Sequence, residues 1–148
     1  MVEHTNAYRG LQREVRFIPV GVGDPQTLTR AQIAEYNTRG YLAPFDIFSK
    51  AEIGTIRTYF DDLLAKALAA GWDSYAMTNW HKNCRGVWDI VTENRILDIV
   101  QDLLGETVIL RHSHFFAKLP GDGKRVSWHQ DASYWPLTPS KVVSAWLA

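Results

Sequence analysis

His129 and Asp131, set two residues apart in Trp128-His129-Gln130-Asp131, form the pair with the sharpest chemical meaning in the chain. On extended backbone, residues i and i+2 share a face, so an imidazole and a carboxylate are brought to bear on one point. Such a pair supplies two of the three protein donors in the two-His, one-carboxylate face that holds non-haem iron(II), whose opposite face stays open for cosubstrate and dioxygen. By spacing alone, His-x-Asp is more often a surface pair at a strand end, and the third donor is not in the motif.

His112-Ser113-His114 repeats the two-residue spacing and competes as a ligand pair. No carboxylate follows it, since Phe115-Phe116-Ala117-Lys118 comes next, so the two imidazoles are expected to line a pocket or sit half-buried. His112, His114, Phe116 and Lys118 fall on one strand face. A lysine on an inward face calls for an anionic partner such as a dicarboxylate; a lysine at a strand end instead snorkels to water. Phe115, Phe116, Trp128, Tyr134, Trp135 and Trp146 crowd the last third, either as core or as the wall of an apolar substrate cavity. Asn79-Trp80-His81-Lys82-Asn83-Cys84 reads as a loop that borders a site or is plain surface. Cys84 stands alone, which excludes a disulfide framework and a cysteine zinc cluster. Gly-x-Ser-x-Gly, His-Glu-x-x-His and phosphate-cradling glycine loops do not occur.

The elements that must position these groups divide the chain in two. Thr29-Arg30-Ala31-Gln32 and Ser49-Lys50-Ala51-Glu52 have capping-box spacing, the first closed by Gly40 and the second opening a long apolar stripe up to Gly71. A third helix is expected after Thr92, with Ile96, Ile99, Val100, Leu103 and Leu104 on one side and Gly105 at its end. From Thr107 the period is two: strands are expected over 107–119, 125–131 and 141–147, with a turn over 120–124. The fold class is α+β, a single domain over 1–148 with residues 1–106 mainly helical and 107–148 carrying the first core strands. Val142 to Ala148 has strand propensity and no charge, so the chain is expected to be cut inside its sheet, with association through that exposed strand. The 148 residues hold 16 basic and 16 acidic side chains, so no broad basic field favours nucleic acid or an anionic membrane. With 46% hydrophobic residues and no signal-like start, a cytoplasmic globular domain is expected.

Taken together, these segments resemble the phytanoyl-CoA dioxygenase-like proteins, iron(II)- and 2-oxoglutarate-dependent oxygenases built on a double-stranded β-helix, or jelly roll. The likeness runs from Leu28-Thr29-Arg30-Ala31-Gln32-Ile33 and Gly40-Tyr41-Leu42 through Arg95-Ile96-Leu97-Asp98 and Asp102-Leu103-Leu104-Gly105. It is densest in His114-Phe115-Phe116-Ala117-Lys118 and Trp128-His129-Gln130-Asp131, and ends in Tyr134-Trp135-Pro136-Leu137 and Ser144-Ala145-Trp146.

The resemblance implies that His129 and Asp131 ligate iron(II), and that His114 and Trp146 lie against the 2-oxoglutarate cosubstrate; Lys118 joins them as a cosubstrate-binding candidate from its charge and its shared strand face. Phe116, Gln130, Tyr134 and Trp135 are expected to line the substrate pocket or support the ligands. In the family, the second His ligand and the Arg that grips 2-oxoglutarate come later than residue 148. The implied reaction is hydroxylation of a small organic substrate by dioxygen, with succinate and CO2 as co-products. Asp131 favours hydroxylation over halogenation, since related halogenases have a small residue there. Two other classes stay open: a non-catalytic binding module, and a metal-dependent β-barrel enzyme using His112, His114 and His129 without 2-oxoglutarate.

Overall fold

Four α-helices and three 3-10 turns make up the regular structure of the computed structural model, which describes residues 10, 12, 14, 16–129 and 131–148. Helix α1 (Arg30–Arg39) starts at Thr29, whose hydroxyl accepts from the Gln32 amide at 3.2 Å while Gln32 Oε1 accepts the Thr29 N–H at 2.8 Å. Gly40, at φ 81°, ends it in the left-handed region where a glycine costs least. Helix α2 (Lys50–Ala69) begins with the same reciprocal arrangement between Ser49 and Glu52. Both starts agree with the spacing in the sequence.

Helix α3 (Arg85–Val91) has no counterpart among the expected elements: it is one of the short ones, and no side chain caps its first residue. Tertiary contact defines it instead. Gly86 faces the Tyr59 ring of α2 so closely that a Cβ there would stand 2.5 Å from Tyr59 Cζ. Gly86→Ala is expected to lower stability by about 1–3 kcal/mol through overpacking, read as a lower urea midpoint with an unchanged slope. Helix α4 (Asn94–Leu104) is capped by Glu93, one residue beyond the expected Thr92.

Leu28, Ile33 and Leu103 form the buried core between α1 and α4, with Ile99, Tyr36, Leu42 and Val143 packed against it. Asp102 is the ionisable group of this core, 4% exposed. Its carboxylate accepts the backbone N–H groups of Gln26, Thr27 and Leu28 at 2.9, 2.7 and 2.6 Å. Those bonds hold its pKa below the ordinary carboxylate value even though desolvation pulls the other way.

Residues 107–148 differ from expectation. Among the described residues the segments 107–119, 125–131 and 141–147 form no strand ladder; the extended chain makes one isolated antiparallel bridge, Thr78 to His114. Asn79 N–H donates to Ser113 O at 2.7 Å and Phe115 N–H to Met77 O at 3.2 Å on either side of it. A ladder needs a second extended segment in register, which the two-residue period of one segment does not supply. Asp131 also departs from the expected strand, since it opens a 3-10 turn, Asp131–Tyr134. The turn over 120–124 is as expected: Asp122 accepts the amides of Leu119 and Lys124 at 2.7 and 2.9 Å, and Gly121 and Gly123 have positive φ. No helix among the described residues is long and apolar enough to cross a membrane.

Candidate metal and cosubstrate site

His129 and Asp131 converge although a turn, not a strand, carries the carboxylate. His129 Nε2 lies 3.3 Å from Asp131 Oδ1. Two donors at right angles about 2.1 Å from one ion stand about 3.0 Å apart, and at a tetrahedral angle about 3.4 Å. The observed spacing falls between these values. His129 Nδ1 is 2.7 Å from the Ser127 carbonyl, an acceptor, so Nδ1 carries the proton and a neutral imidazole keeps its lone pair on Nε2, facing the carboxylate. With the ring protonated the same contact is an ion pair. Asp131 Oδ2 is held separately, accepting the Ser144 hydroxyl at 2.5 Å. The Tyr134 ring meets His129 edge-on at 5.6 Å between centroids. An open surface depression lined by Val126, Ser127, Trp128 and His129 borders the imidazole.

The second cluster is aromatic. His114 packs on Phe116 at 4.2 Å and edge-on to Tyr75 at 4.7 Å, and Phe116 stacks on Trp146 at 5.4 Å with 21° between ring planes. His114, Phe116 and Trp146 are therefore brought together. His114 Nε2 donates to the Tyr75 carbonyl at 2.7 Å, which leaves only Nδ1 as an acceptor. That bond weighs against a metal site drawing on His112, His114 and His129. Lys118 is exposed, with no carboxylate partner among the described residues. Lys124 is held by carboxylates, its Nζ 3.0 Å from Asp73 and 3.5 Å from Asp122, and it donates to Ser74 Oγ at 2.8 Å.

His112 joins the two clusters, 6.2 Å from the His114 ring and 5.3 Å from Trp135. Burial, then the neighbouring His114, Arg111 and His81, push its pKa down, with Asp131 opposing. Gln130 lies outside the described residues. Among those described, no group of three His, Cys, Asp or Glu side chains could hold a metal ion.

The loop over Asn79-Trp80-His81-Lys82-Asn83-Cys84, expected to border a site or be plain surface, reaches the His112–His114 segment through His81. His81 is buried, and its Nδ1 lies 2.6 Å from Ser113 Oγ, pinning the chain between His112 and His114. Desolvation, with Lys82 adding to it, lowers the His81 pKa, so as pH falls through the ordinary value of 6.5 the unfolded chain takes up the proton before the fold does. Its contribution to stability is complete above that value and is lost as pH falls below it. Thermal midpoints between pH 7.5 and 5 are expected to decline on the acid side, less steeply in His81→Gln. An equal slope in both would place the effect on His112 or elsewhere.

His129 and Asp131 are two donors of the types found in non-haem iron sites; the chain comparison gives the family. Residues 36–148 match the family described as phytanoyl-CoA dioxygenase (PhyH), and the chain belongs to that family. It is 25% identical over 118 residues to an ectoine dioxygenase of Sphingopyxis alaskensis, an alignment covering 73% of this chain and 39% of that protein. The chain thus spans about two-fifths of the length of the curated relative that it matches. No solved structure matches it.

Proposed function

We propose that the chain is part of an iron(II)- and 2-oxoglutarate-dependent dioxygenase of the cytoplasm that hydroxylates a small organic substrate. The observation that carries this reading is the His129 Nε2 to Asp131 Oδ1 spacing of 3.3 Å, with the other nitrogen committed to Ser127 and the other oxygen to Ser144. Each side chain thereby keeps one donor atom for an ion, and the donor types are those iron(II) accepts. Bound iron with 2-oxoglutarate supplies the dioxygen activation that hydroxylates an unactivated carbon.

In this reading His129 and Asp131 hold the metal. The His114, Phe116 and Trp146 rings, the last 78% exposed, would form an aromatic wall for the cosubstrate, with Lys118 the proposed cation for its carboxylate. Tyr134 and Trp135 buttress the imidazoles of His129 and His112, and Gln130 stands between the two ligands in sequence. The extended segments of 107–148 serve as the first strands of a jelly roll, with the second His and the 2-oxoglutarate Arg expected outside these 148 residues. The relative's name makes ectoine the first substrate to assay, followed by acyl-CoA esters.

Anaerobic titration of the natural-length protein with iron(II) and 2-oxoglutarate is expected to produce a weak visible charge-transfer band. Trp146→Ala, which removes the ring stacked on Phe116, is expected to weaken cosubstrate affinity severalfold. A flat spectrum with the metal bound would remove 2-oxoglutarate from the account.

A further inference from the structure

We infer that Ser144 is a positioning residue that keeps Asp131 a one-oxygen ligand and so preserves the open coordination positions of the site; the inference rests on the metal reading above. Asp131 is partly solvent-exposed, its side chain 44% accessible, so little packing fixes its rotamer. The Ser144 hydroxyl does: it donates to Oδ2 at 2.5 Å, while Oδ1 faces His129 Nε2 at 3.3 Å. A hydroxyl bonded to a carboxylate makes a short, charge-assisted contact.

The anchoring of Ser144 explains why that contact is directional. Val143 packs against the Leu28, Ile33 and Leu103 core, while Ser144 and Trp146 reach Asp131 and Phe116. The two-residue alternation of an extended chain thus converts burial of Val143 into placement of its neighbour's hydroxyl. A carboxylate free of this bond can turn both oxygens to an ion and occupy a position that an iron site of this class leaves for cosubstrate or dioxygen. The Ser144 hydroxyl bonds Asp131 Oδ2 and would act through that carboxylate.

The test compares Ser144→Thr, which keeps the hydroxyl, with Ser144→Val, which has the shape of threonine without it. Cobalt(II) serves as the probe on the natural-length protein, with affinity from titration and the visible d–d spectrum as a report on coordination. Ser144→Val is expected to weaken cobalt binding by about 10-fold or more, as loss of a group orienting a ligand does, and to change the d–d band. Ser144→Thr is expected to match wild type in both. Equal behaviour of Val and Thr, in either direction, would overturn the role of the hydroxyl. Asp131→Ala run alongside separates the two claims: if it leaves cobalt affinity unchanged, the metal reading itself fails. If it weakens binding while Ser144→Val retains wild-type affinity and spectrum, only the role of Ser144 fails.

Discussion

Asp131→Ala is expected to reduce iron(II) affinity of the natural-length protein by well over 10-fold, and Asp131→Asn by less. Removing a group that merely orients a ligand already costs 10–100-fold, and Asp131 is itself one of the two donors that converge in this chain. The alanine removes the charge and the oxygen together. Asparagine keeps one oxygen that can still face His129, and its amide can donate to Ser144 Oγ in place of accepting from it. Isothermal titration with iron(II) under argon orders the three proteins. Folding is not at stake in this comparison, because Asp131 is partly exposed and outside the core formed by Leu28, Ile33 and Leu103. A tight site in Asp131→Ala would move the metal away from this pair.

The second large effect is on stability. Asp102→Ala is expected to destabilise the fold by about 2–4 kcal/mol, since it leaves the N–H groups of Gln26, Thr27 and Leu28 without their acceptor beside a buried helix end. Asparagine recovers only part of this. Oδ1 serves Gln26 and Oδ2 serves both Thr27 and Leu28, so replacing either oxygen with an amide nitrogen sets a donor against a donor. The Asp102 pKa is lowered in the fold, so its contribution is present above the ordinary carboxylate value of 3.8 and is lost as pH falls through the lowered one. Urea denaturation at pH 7 and pH 3 checks both points, with the difference between wild type and Asp102→Asn narrowing at the lower pH. Because Val143 packs on the same core, Asp102→Ala is also expected to loosen the segment carrying Ser144 and Trp146.

What could be read from residues alone follows how local each determinant is. Helices α1 and α2 announce themselves because a capping box is a contact between residues three apart, and both boxes are present. Helix α3 was illegible because its defining contact joins Gly86 to Tyr59, far away in sequence. In the last third, the two-residue period foretold that His112, His114 and Phe116 share a side, and their rings do meet. It could not foretell pairing, which depends on other segments, and among the described residues those segments stay without a ladder. The His129 and Asp131 pair was legible as two donors at short spacing, although the turn at Asp131 was not. Ser144, the Ser127 and Tyr75 carbonyls and the His81 to Ser113 contact were not legible as parts of the site. No spacing rule connects a hydroxyl thirteen residues away to a particular carboxylate oxygen, or a buried imidazole to a serine on another segment.

The central claim is that His129 and Asp131 grip one iron ion. Anomalous diffraction at the iron edge, from anaerobically grown crystals of the natural-length protein, measures this directly. The account predicts a single strong peak within about 2.0–2.3 Å of both His129 Nε2 and Asp131 Oδ1. A peak seated elsewhere, for example in the groove of about 280 Å³ lined by Glu52, Asp89 and Glu93, with none between His129 and Asp131, would contradict it.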